Sequence, residues 1–74
     1  MTVIECENKF WNGHNWTDQF QQALLFRNSI EAVLLADKLI VEFPAEKLPG
    51  KYISVYQDYG DPDNEVLLAS VSRD

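Results

Sequence analysis

Seventy-four residues carry twelve carboxylates against six lysines and arginines, a formal net charge of −6 that repels phosphate backbones and anionic lipid and argues against nucleic-acid binding. This length has room for one core and no second domain. A content of 46% hydrophobic and 12% aromatic residues separates the chain from disordered sequences.

The apolar stretches 32–36 and 39–41 are interrupted by Asp37 and Lys38, far short of the ~20 residues that cross a bilayer. No membrane span or membrane partner is expected. Cys6 is the only cysteine, so no internal disulfide and no cysteine-based zinc cage can form, which points to a reducing, cytoplasmic compartment. The start, MTVIECENKF, lacks the basic and apolar regions of a secretory signal and reads as part of the fold. Burial of about 60% of the unfolded surface is worth on the order of 110 kcal/mol. Ordering the chain costs about as much at ~1.5 kcal/mol per residue. A self-partner or another protein is therefore a natural source of further stability.

Residues 2–11 alternate β-branched, aromatic and polar types and predict a first strand, with Ile4, Cys6 and Phe10 on one face and Glu5 and Glu7 on the other. Asn12-Gly13 tolerates positive φ and predicts a hairpin turn into a second strand at 15–17. Residues 22–26 suit a short third strand, although Ala23, Leu24 and Leu25 also favour a helix. Asn28 is a helix N-cap, with Glu31 placed to complete a capping box. From Ser29 to Glu42 the residues Ala32, Leu35, Ala36, Leu39 and Phe43 recur at helical spacing, with Ile30, Val33 and Leu34 widening the stripe. Pro44 ends the helix, and 47–50 is a loop.

Residues 51–57 alternate again, with Ile53 and Val55 on one face and Tyr52, Ser54 and Tyr56 on the other. The run 66–72 repeats the pattern across the turn-forming segment DYGDPDNE, which predicts an antiparallel hairpin. Ile53, Val55, Leu67, Ala69 and Val71 are expected under the helix. The class is α+β: a small antiparallel sheet with one helix on one face, in a single domain spanning 1–74.

Chemistry-bearing motifs are few. Cys6 and His14 lie eight residues apart, and nothing in the spacing supplies the close contact and orienting third group of a nucleophilic pair. A small buried hydrophobe and a solvated turn histidine account for them. The sequence contains no G-x-S-x-G, G-x-x-x-x-G-K or G-x-G-x-x-G. Asp58, Asp61, Asp63 and Glu65 have the composition of a calcium loop, but Pro62 interrupts it, and Ala69 stands twelfth from Asp58 where a bidentate glutamate belongs. These carboxylates suit a solvated hairpin turn that guards a sheet edge. No catalytic residue, cofactor or metal ligand is therefore assigned.

The remaining candidates form a surface. Tyr52 and Tyr56, predicted opposite the helix, share their side with Val66 and Leu68, and the resulting face is too apolar to be simply wet. Phe10, Trp11, Trp16 and Phe20 crowd the first quarter of the chain and suit cross-strand pairs of the core, with a partner-binding aromatic patch as the alternative.

The segment FWNGHNWTDQFQQALLFRNSIEAVLLADKL, residues 10–39, resembles a pattern found in small bacterial and phage proteins. In that pattern an aromatic-Asn-Gly turn precedes Trp-Thr, an Ala-x-x-Phe strand and a capped helix opening with Glu-Ala. Trp11, Asn12, Gly13, Trp16, Thr17, Ala23, Phe26, Glu31 and Ala32 carry the match. The resemblance implies a small α+β fold and transfers no catalytic residue.

Two functional readings lead, ahead of a third in which a small enzyme pools carboxylates across a dimer interface. The first is a non-enzymatic protein-interaction module, acting on a protein partner or as a homodimer through Tyr52, Tyr56, Val66 and Leu68. The second is an acidic inhibitor or nucleic-acid mimic whose Glu5, Glu7, Asp58, Asp61, Asp63 and Glu65 would cluster if the first strand neighbours the last hairpin.

Overall fold

In the computed structural model, which describes residues 1–73, the first apolar run folds back on itself. Glu7 (φ 49°) and Asn8 (φ 66°) both adopt left-handed backbone, the geometry of a two-residue hairpin turn. The run expected as one strand is thus two: β1 (Thr2–Cys6) and β2 (Lys9–Trp11), with Glu5 opposite Phe10 and Cys6 opposite Lys9. The turn escapes a sequence reading because neither residue is glycine. Its consequence is that Phe10 shares a face with Glu5, while Ile4 and Cys6 occupy the other.

The Asn12-Gly13 turn forms where expected and leads into β3 (Trp16–Thr17). Asn12 Oδ1 accepts from the backbone N–H groups of His14 and Asn15, each at 2.8 Å, and Gly13 takes a φ of 103°, which a Cβ would strain. Residues 22–26 do not form a strand. Phe20–Gln22 is a 3-10 turn, and Phe26 makes a one-residue antiparallel bridge to Thr2.

Helix α1 (Ser29–Glu42) begins with the Asn28 side chain accepting from Ile30 N–H at 2.9 Å. At its far end Arg73 donates through Nε to the Ile40 carbonyl at 2.6 Å, and through one terminal nitrogen to the carbonyls of Val41 and Phe43. These are acceptors that the last helical turn leaves unpaired. Strands β4 (Ile53–Gln57) and β5 (Val66–Val71) make the expected hairpin.

The sheet is antiparallel in the order β3-β2-β1-β4-β5, with α1 packed on one face, an α+β fold. Ala32 and Ala36 let the helix lie close to the sheet. With Leu39 and Ile40 they bury Ile4, Cys6, Trp11, Ile53 and Val55 in one cluster. Trp11, Trp16 and Phe43 extend that cluster edge to face. Trp16 Nε1 is buried there without a hydrogen-bond partner among the described residues.

Candidate interaction surface

Directly paired residues in an antiparallel sheet point to the same side, so the face away from α1 can be read from the register. Val3 pairs with Tyr56, Glu5 with Phe10, and Tyr56 with Leu67. Two connections fold back over this face. Phe20 from the 3-10 turn and Tyr59 from the β4–β5 loop stack on each other at 5.6 Å. Phe10 meets Phe20 at 5.2 Å and Tyr59 at 5.1 Å, and Tyr56 meets Tyr59 at 5.2 Å, all edge to face. Val3, on the face these rings occupy, is only 1% exposed. The face therefore holds a second, aromatic core, closed at its centre and open toward β5.

At β5 the alternation breaks. The register shifts between Val55 and Tyr56, so that Val55 faces Ala69 while Tyr56 faces Leu67. Leu68 is the extra residue of a bulge. Leu67, expected in the core, instead lies on the outer face and is 53% exposed. Val66 pairs with Gln57 and so falls on the side opposite Tyr56, which corrects the expectation that Val66 and Leu68 share the tyrosine side. Val66 remains 49% and Leu68 37% exposed. Tyr52 is exposed just before β4, and Tyr56 is half-buried in the aromatic cluster. Of the four expected surface residues, Tyr52, Val66 and Leu68 are thus open, and Tyr56 serves packing.

β5 is also a sheet edge, so one side of its backbone presents N–H and C=O groups without a strand neighbour. Sequence reasoning placed Phe20 among the core aromatics and Leu67 under the helix, and did not single out Tyr59. Tyr59 had a signal: it is the one aromatic side chain in an otherwise polar turn segment, and a large apolar ring in a loop needs somewhere to pack.

Asp58, Asp61, Asp63 and Glu65 share the β4–β5 turn, and Glu5 lies near enough to act on Tyr59 together with Glu65, while Glu7 stands apart. β1 does neighbour β4, but the two run antiparallel, with Thr2 opposite Gln57 and Glu5 opposite Ser54. Asp58 N–H donates to the Met1 carbonyl, whereas Glu7 lies against Gly50 at the other end of the pair. Asp61 organises its own turn, accepting from Asp63 N–H and the Asn64 side chain. Those bonds, the Asn64 amide first, hold its carboxyl below the usual range. Burial, then the charges of Glu5 and Glu65 and the neighbouring Tyr56, raise the Tyr59 hydroxyl. The Cys6 thiol is likewise raised by burial, against the opposing effect of its contact with the Gly50 carbonyl. His14 is exposed in its turn. Among the described residues no three His, Cys, Asp or Glu side chains are grouped to hold a metal ion, and no helix is long and apolar enough to cross a membrane.

An open cleft of about 380 Å³ lies where the end of α1 meets the β4–β5 hairpin, lined by Ile40, Ala45, Leu48, Gly50, Lys51 and Arg73. Comparison with protein-family models, curated proteins and solved structures found no match.

Proposed function

We propose that this chain is a non-enzymatic protein-interaction module that binds through the β5 edge and the adjoining outer face. The observation that carries the reading is the coincidence, on one strand, of an open backbone edge with three consecutive exposed apolar side chains, Val66, Leu67 and Leu68. Exposed apolar clusters mark contact surfaces, and an open edge supplies directional hydrogen bonds that a partner strand can complete. Tyr52, just before β4, and Phe20, in the aromatic cover of the outer face, are exposed as well. Glu7 lies at the opposite end of the β1–β4 pair from the acidic turn, and Asp58 is paired with the N-terminal ammonium, which leaves the nucleic-acid-mimic reading with less support.

The test is capture from a lysate of the native source, comparing the parent chain with Leu67→Lys and Leu68→Lys at matched fold content. A protein retained by the parent and lost by both variants supports the reading. Identical retention by all three defeats it.

A further inference from the structure

The β5 edge has a charge pattern that suits a second copy of the same chain. Residues 66–72 carry no charge, so two such strands can lie side by side without opposing like charges. The two ends of the β4–β5 hairpin differ. Its turn holds Asp58, paired with the N-terminal ammonium at 2.9 Å, together with Asp61, Asp63 and Glu65, whereas its open end holds Lys51 and the α1-capping Arg73 beside Glu7, with Asp74 following in sequence. Six residues of strand separate these ends by roughly 20 Å, more than twice the screening length of about 8 Å at physiological salt.

From this we infer that two copies of the chain pair antiparallel through β5, related by a two-fold axis perpendicular to the sheet. That arrangement sets each acidic turn beside the other copy's Lys51, at an end of the hairpin whose charges balance, and keeps the two acidic turns apart despite a net charge of −6 on each copy. A parallel pairing would place turn against turn. Apart from its bulge, β5 has none of the features that blunt natural edges, such as a proline, a lysine or an inward charge. The two sheets become one of ten strands, with both helices on the same side. A single strand pair buries less than the ~800 Å² per partner of a standard interface, so the dimer is a reversible one.

This inference rests on the reading of β5 as the contact surface, and the experiment separates the two. Sedimentation equilibrium of the parent chain from about 5 to 500 μM is expected to show monomer passing reversibly to dimer. Val66→Lys and Leu68→Lys should each weaken dimerisation at least about tenfold while circular dichroism at the lowest concentration stays that of the parent. Lys51→Glu should weaken it too, by a factor that shrinks as salt is raised. Leu34→Lys, on the exposed helix surface, should change nothing. A monomer throughout the range overturns the second copy as occupant. If β5-dependent capture of another protein persists in that case, the interaction reading stands without it. A dimer lost in Leu34→Lys but kept in the β5 variants puts the interface on α1 and overturns the inference.

Discussion

The two faces of the sheet are packed by different means. On the helix face, aliphatic side chains of β1 and β4 meet the small residues of α1, and Ile4, Ile53 and Val55 are wholly buried. On the outer face no regular element lies over the sheet. Four rings, two from strands and two from connections, make a cover that leaves Phe20 42% exposed. A helix brings a continuous stripe of side chains whose backbone is already satisfied, so it excludes water along its whole length. Loops must spend polar backbone on turns and can contribute only isolated large side chains. The first solution makes a core; the second makes a core with an open margin, and that margin is β5.

The largest effect should follow from a cavity on the helix face. Ile53→Ala is expected to cost about 2 to 5 kcal/mol, through lost burial and a void that α1 cannot collapse to fill. A domain of this size has roughly 4 to 11 kcal/mol in total. Urea unfolding at low protein concentration measures it, and an unchanged midpoint would mean that the helix is not the main cover.

Next comes the aromatic side. Tyr59→Ala removes ring contacts with Phe10, Phe20 and Tyr56, each worth about 0.5 to 1.5 kcal/mol beyond its area. Because Tyr59 is only half-buried and loop-borne, the expected loss is about 1 to 2 kcal/mol. A loss as large as that of Ile53→Ala would erase the distinction between the faces.

How much of this was legible beforehand depends on where the information sits. Helix α1 was readable because its cap, its apolar spacing and Pro44 are all local signals, and the structure places its ends at Ser29 and Glu42. The Glu7-Asn8 turn was not, since its left-handed residues lack glycine, and missing it misassigned Phe10. The bulge at Leu68 was invisible for a different reason. Strict alternation over 66–72 fits an unbroken strand equally well, and only the pairing with β4 shows that one residue is extra. That one residue moved Leu67 from the expected core to the surface. Tyr52, Val66 and Leu68 were found as exposed apolar residues, while the Phe20–Tyr59 cover depends on two loops meeting across the sheet, which no local pattern records.

Cys6 reports on the closed face with a smaller effect. Burial raises its thiol above the ordinary value of 9.0, so the neutral form is favoured when folded. Stability from this group is fully present below pH 9.0 and declines as pH rises through the elevated folded value, because the unfolded chain ionises first. The expected result is a melting temperature that falls on moving from neutral to strongly alkaline solution, by less in Cys6→Ala than in the parent. Alkylation by iodoacetamide near pH 8 should proceed only as fast as the chain opens. Rapid labelling of the folded protein would show the helix face to be accessible.

The smallest effect discriminates most sharply. Leu67 stands in the middle of an apolar run at a position where simple alternation demands a core residue, and truncation there should then cost about 2 to 4 kcal/mol. The bulge predicts otherwise. With Leu67 opposite Tyr56 and more than half exposed, Leu67→Ser should shift the unfolding free energy of the isolated chain by no more than about 0.5 kcal/mol, because little area leaves water when it folds. Any greater change should appear only as protein concentration rises, where the same side chain is covered by a partner and its loss is felt as weaker association. Melts of parent and variant near 5 μM and near 500 μM read both quantities at once. A large loss at the lower concentration would return Leu67 to the core, remove the bulge from the account, and close the margin on which the interaction surface depends.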